Sequence, residues 1–275
     1  MKKNKGGYYM NRKYLKDIGL KLEDIPEGFC FEEALDVSRG RGKEWAIERE
    51  EYGFDSREIW SLDYTIKLYL YERLSMYKEK LYLVEDELKN IRKIEFNNKE
   101  YSHIDIIDEI LEGLRLDFTI GEHDMIRISD IDIYNKLNNV LYLLELCLQD
   151  IEYIGINMGL ASRNLKIDYE KENLEYGFNQ KEVWFLVKNL KEFIYKRLKM
   201  YDDVTDGFLI KDGDFHAFEY KEEILTFQDY IDKILEGLEL DMNCSDLEKA
   251  NNPDIKTKID DVFKLLPLCF GHLWW

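Results

Sequence analysis

The chain has 275 residues, with 39 Lys+Arg against 57 Asp+Glu, a net charge of -18 and 45% hydrophobic residues. That apolar share is enough for a core, so an unstructured acidic tail is excluded, and no run of about 18 uncharged apolar residues marks a membrane span. An acidic excess without clustered Lys/Arg also argues against binding a nucleic-acid backbone, because phosphate contacts need basic patches.

The N-terminal stretch MKKNKGGYYMNRKY is basic but has no apolar stretch of the kind a secretory signal carries, so a cytoplasmic chain is expected. Residues 1–44 read as an extension. It ends in Ser38-Arg39-Gly40-Arg41-Gly42, a basic, Gly-rich linker without a phosphate-loop pattern. Cys30, Cys147, Cys244 and Cys269 form no CxxC pair. Zinc is therefore not expected, nor is a disulfide framework in a chain of this size.

Beyond residue 44 the chain repeats itself. Residues 51–77 and 175–201 lie 124 apart and agree at 13 of 27 positions, and 107–117 against 231–241 agree at 9 of 11. A third block, 136–148, matches 258–270. Three matches in the same order point to a tandem duplication, with repeats at 45–164 and 165–275. The fold expected is mainly α, two copies of a helical module of about three helices each, with a small β-hairpin insert.

Within each copy the elements follow from apolar spacing. Gly53 and Gly177 mark a turn. Asp55 and Asn179 follow as N-caps, with Glu58 and Glu182 completing a capping-box pattern. A helix should then run from Ile59 through Leu62, Ile66, Leu70, Leu74 and Tyr77, and likewise from Val183 to Tyr201. Asn97-Asn98 and Asp212-Gly213 read as hairpin turns. A second helix spans about Ile104 to Phe118. A third begins near Ile133 and runs on to about Met158, joining the copies without a flexible tether. Gly113 and Gly237 lie inside the second helix of each copy, which implies close helix–helix approach.

The string YGFDSREIWSLDYTIKLYLYERLSMY resembles a set of phage and prophage proteins with a Gly-Phe-Asp, Trp-Ser-Leu-Asp and Arg-Leu core. Gly53, Phe54, Asp55, Arg57, Trp60, Ser61, Leu62, Asp63, Arg73 and Leu74 carry the resemblance, which extends to the helix at 106–114. It implies a phage-type helical module in the host cytoplasm and no particular chemistry. The second copy departs from the pattern, with Phe185-Leu186-Val187 in place of Ser61-Leu62-Asp63.

The candidate ligand-binding residues are Arg57, Trp60, Asp63, Arg73 and Tyr77 in the first copy, and Lys181, Trp184, Arg197 and Tyr201 in the second. Arg73 and Arg197 fall in an apolar stripe, where a charge must be paired or must meet an anion. One expectation is a bridge to the second-helix carboxylates; the other is anion recognition in a groove. Asp108, Glu109 and Glu112 form an acidic set that could hold magnesium, although Glu109 becomes Lys233 in the second copy. His123-Asp124 is a lone pair of chemistry-bearing residues and reads as loop. The Trp274-Trp275 tail suggests a plug for a groove or a contact for self-association.

The function expected is non-enzymatic: a binding protein without cofactor that sequesters a host protein or a small anionic, nucleotide-like ligand, in counter-defence. The alternatives are a magnesium-dependent all-α nucleotide hydrolase and an acidic inhibitor that mimics nucleic acid. No nucleic-acid or membrane partner is expected.

Overall fold

The computed structural model describes residues 13–17, 42–59, 62–120, 131–205, 218–269 and 273. In chain order these form α1 (Lys13–Asp17), α2 (Gly42–Tyr52), a 3-10 turn (Ser56–Ile59), α3 (Leu62–Lys80), a second 3-10 turn (Leu81–Val84) and α4 (Glu85–Leu88). The hairpin β1 (Ile94–Phe96)/β2 (Lys99–Tyr101) leads to α5 (His103–Ile120) and the long α6 (Ile131–Ala161). Then follow α7 (Tyr169–Tyr176), α8 (Gln180–Trp184), α9 (Leu186–Thr205), β3 (Phe218–Tyr220), β4 (Glu223–Leu225), α10 (Phe227–Asn243), α11 (Asp246–Asn251) and α12 (Pro253–Cys269). The protein is mainly α, and among the described residues its strands make two antiparallel hairpins.

α5 and α6 match the helices expected from periodicity, including the unbroken run through Met158. The helix expected from Ile59 is instead broken at its start. In the first copy a 3-10 turn precedes α3; in the second, Phe185 (φ -117, ψ 37) separates α8 from α9. The carbonyls freed at each break are taken by side chains 124 apart. Thr65 Oγ1 donates to the Glu58 carbonyl at 2.8 Å, and Asn189 Nδ2 donates to the Glu182 carbonyl at 2.9 Å.

Capping also differs from the expectation. Asn179 does cap α8, its side chain accepting from the Lys181 N–H, and Asp55 Oδ1 accepts from the Arg57 N–H. The capping boxes at Glu58 and Glu182 do not form, because those carboxylates reach arginines. The carboxylates bonded to the first turns come from the preceding helices: Glu48 accepts from Ser56 N–H, and Glu172 from Gln180 N–H.

The first hairpin turns at Asn97-Asn98, both left-handed, as expected. The second turns at Lys221-Glu222, also left-handed, and pairs Phe218–Tyr220 forward with Glu223–Leu225. Those two residues carry no turn signature, so the sequence pointed upstream to Asp212-Gly213, which lies outside the described residues. So do Trp60, Ser61, Ser38 to Arg41, His123-Asp124 and Trp274-Trp275.

Of the described residues, 13–17 and those within 67–190 form one compact unit, and those within 42–66 and 191–273 form another. The first unit is built on α5 packed along α6, with Ile106, Ile107, Ile110 and Leu114 of α5 and Val140, Leu144, Ile151 and Met158 of α6 all buried. A Cβ on Gly113 would lie 2.9 Å from the Lys136 carbonyl oxygen, so the absent side chain sets how closely these helices approach. The second unit is built on α10 packed along α12, burying Ile231, Ile234, Leu238, Val262 and Leu266. There Gly237 has the same role: a Cβ would lie 2.5 Å from the Lys258 carbonyl oxygen. Leu273 is buried in this unit, and its carbonyl accepts the Leu62 N–H at 2.9 Å.

Each unit draws its long-helix body from one sequence copy and its Gly-turn segment from the other. The first unit joins 67–161 to 169–190, and the second joins 191–273 to 42–66. The boundary falls within a helix at equivalent places, Ile66/Lys67 in α3 and Leu190/Lys191 in α9.

Candidate functional site

Arg73 and Arg197 lie on the apolar faces of α3 and α9, where the helical period puts them. In the first unit Arg73 Nη2 donates to Glu182 at 2.9 Å, and Nη1 donates to Glu72 at 3.4 Å. Its guanidinium lies between the rings of Tyr69 (3.9 Å) and Phe178 (4.3 Å). In the second unit Arg197 Nε and Nη2 both donate to Glu58, at 3.0 and 2.6 Å, over the rings of Phe193 (3.5 Å) and Phe54 (4.3 Å). Every partner of one arginine except Glu72 has its counterpart 124 residues away. The expectation of a paired arginine was right in kind and wrong in partner. The carboxylates come from the Gly-turn segment of the other copy, and the second helix does not supply them. An apolar, ring-lined surround suits this arrangement, because an unpaired guanidinium there would carry a large desolvation cost.

The remaining predicted residues do not converge. Arg57 is buried in the second unit, donating to both oxygens of Asp55 at 2.8 Å and stacking on Trp45 at 4.2 Å. Asp63 is buried in the first turn of α3, and Tyr201 is buried on α9. In the first unit Tyr77 is buried with its hydroxyl 2.8 Å from His103 Nε2. Burial pushes the Tyr77 hydroxyl well above its ordinary value and holds His103 down to about 4. Lys181 and Trp184 do meet, through Tyr169: the lysine sits over that ring at 4.1 Å, and the two rings touch edge-on at 6.3 Å. Trp184 lies along α6. A Cβ on Gly155 would be 2.6 Å from the Trp184 carbonyl oxygen, and one on Gly159 would be 3.4 Å from the indole.

The acidic set on α5 is engaged with cations. Asp108 pairs with Lys78 at 2.5 Å and Glu109 with Lys99 at 3.7 Å; Glu112 accepts from Arg115 Nε and Nη2 at 2.9 and 3.0 Å. The Arg115 hydrogen bonds hold Glu112 below the usual carboxylate range. Among the described residues no group of three or more His, Cys, Asp or Glu is placed to hold a metal ion, and no helix is long and apolar enough to cross a membrane. Cys147 is a buried free thiol, and burial holds it well above its ordinary value, so it stays protonated.

One surface feature was missed in the sequence. The outer face of α6 exposes Tyr142, Leu146, Tyr153, Ile156 and Leu160, each between 37% and 52% open. Their steps of three, four or seven residues keep them on one stripe, which covers about 27 Å of helix at 1.5 Å per residue. The inner face of the same helix carries Leu144, Cys147, Ile151, Ile154 and Met158 into the core. Apolar spacing on two faces was therefore present in the sequence. At its C-terminal end the stripe lies beside the Gly155/Gly159 face that receives Trp184.

Comparison with family models, with curated proteins and with solved structures finds no match to this chain.

Proposed function

We propose that the chain is a non-enzymatic binding protein that holds a partner protein on the outer face of α6. The exposed stripe of Tyr142, Leu146, Tyr153, Ile156 and Leu160 carries this reading. Contiguous apolar side chains on a helix exterior mark an interaction surface, because each leaves surface whose burial is worth about 1 kcal/mol. The arginine geometry favours this reading over a small anionic ligand. An anion at Arg73 or Arg197 would have to displace Glu182 or Glu58 from a paired, ring-stacked guanidinium. The cation partners of Asp108, Glu109 and Glu112 likewise weigh against the magnesium hydrolase. The phage-type core suggests that the partner is a host protein in the host cytoplasm, engaged in counter-defence.

The test uses the full chain carrying a photo-crosslinking residue at Tyr153 or Ile156, with the exposed Leu174 on α7 as control. The two stripe positions should label one and the same host protein, and position 174 should not. That protein, purified, should bind at least about tenfold more weakly to a Tyr153→Glu/Ile156→Glu variant of unchanged helicity. Equal labelling from position 174, or undiminished binding by the double variant, would remove the proposal.

A further inference from the structure

Within each unit, the Gly-turn segment of one copy sits on the body of the other. In the first unit the docked segment runs from Tyr169 to Leu190. Its Glu182 and Phe178 close on Arg73, its Glu172 lies 3.7 Å from Lys80, and its Trp184 passes over Gly155 and Gly159. In the second unit the docked segment runs from Gly42 to Ile66. Its Glu58 and Phe54 close on Arg197, its buried Ile59 and Leu62 join the core, and its Leu62 N–H reaches the Leu273 carbonyl. The residues on both sides of the joint recur at the same offset: Phe54 and Phe178, Glu58 and Glu182, Tyr69 and Phe193, Arg73 and Arg197. Each copy therefore presents both halves of the joint, the glutamate and the arginine, yet joins neither to itself.

We infer that the two copies are mutual docking partners. The segment around the Gly-turn of each is an insertion element that fits a second copy of the same block, and the chain is a covalently joined, reciprocally exchanged pair. The joint is isologous in form, since the contact of the first copy on the second repeats as the contact of the second on the first. Its polar part, an ion pair between rings, makes it selective, most of all at Arg197, where a block lacking Glu58 would leave a buried guanidinium without its carboxylate. The partner that fits this joint is another copy of the block, and the inference stands independently of the stripe on α6.

The test cuts the full chain between the copies. Leu165 is exposed and Leu165 to Asp168 lies outside helix, so a protease site placed at 165–167 can be cleaved in the folded protein. After cleavage the two fragments should run as one species of the intact mass, 33.1 kDa, and should part only across the same urea range in which helicity is lost. Fragments that separate in native buffer while retaining their helicity would overturn the inference. In the cleaved protein Arg197→Glu should weaken association at least about tenfold, and adding Glu58→Arg should restore most of it. If Arg197→Glu does not fold, Arg73→Glu with and without Glu182→Arg reads the other joint, where Glu182 is more open to water. Failure of charge reversal to rescue at a folded joint would also overturn the inference.

Discussion

The two arginine joints are alike in composition but unequal in solvent exposure, and this yields a quantitative prediction for Glu58→Gln and Glu182→Gln. Arg197 has one carboxylate partner, Glu58, and the two side chains are 11% and 5% exposed. Glutamine can still accept a hydrogen bond there but leaves the charge unpaired in a dry site. Loss of a buried partner costs about 3–5 kcal/mol, and the retained hydrogen bond puts Glu58→Gln near the lower limit, about 3 kcal/mol. Arg73 differs in two respects. Glu72 lies 3.4 Å away as a second carboxylate, and the Glu182 side chain is 33% exposed, so water replaces part of what is lost. Glu182→Gln should therefore cost only about 1 kcal/mol. Urea unfolding followed by far-UV circular dichroism measures both, with Glu58→Gln acting on the transition of the second unit. A Glu58→Gln variant within about 1 kcal/mol of wild type, or a Glu182→Gln variant less stable than it, would refute the account of burial as the deciding term. Replacing both Glu58 and Arg197 by apolar residues of similar size should recover much of the loss, since no orphan charge then remains.

Two further outcomes follow from buried positions. Gly237→Ala should destabilise by about 1–3 kcal/mol, the reverse of the gain of about 1 kcal/mol that helix propensity alone gives, because its Cβ meets the Lys258 backbone; stabilisation in thermal unfolding would count against the close approach. His103 is held to about 4, below the ordinary 6.5, so between those values the unfolded chain binds the extra proton. Stability should be unaffected by this group above pH 6.5 and fall as pH drops toward 4, by about 3 kcal/mol in all. His103→Phe, the residue found at Phe227 in the second copy, should flatten that slope. An imidazole that titrates near its ordinary value by NMR would show that the site is wetter than its burial implies.

The proposed partner site rests on how α6 divides its two faces. The inner face is fixed by its packing on α5, where Gly113 allows the helices to approach, and the outer stripe is left open at five large side chains. The Gly-turn segments and their arginines are occupied with one another, and the stripe proposed to hold a partner lies on α6.

Local periodicity determined much on its own. It placed α5 and α6, put Arg73 and Arg197 on apolar faces, and marked Asn97-Asn98 as a turn, because these depend on residues within one or two helical turns of each other. The offset of 124 was equally legible, and it recurs in ion pairs, ring contacts, glycine turns and hairpins. What the sequence could not decide was which copy completes which joint. Glu58 and Glu182 hold equivalent positions in the two matching blocks, so by sequence either could serve either arginine, and their local spacing looked like a capping box. Only tertiary packing distinguishes the choices, because exchange conserves every local contact and changes only which chain segment supplies it. The stripe on α6 was hidden for a related reason. Apolar spacing on two faces of one helix shows that both could be buried, and the neighbours that are present decide which one is.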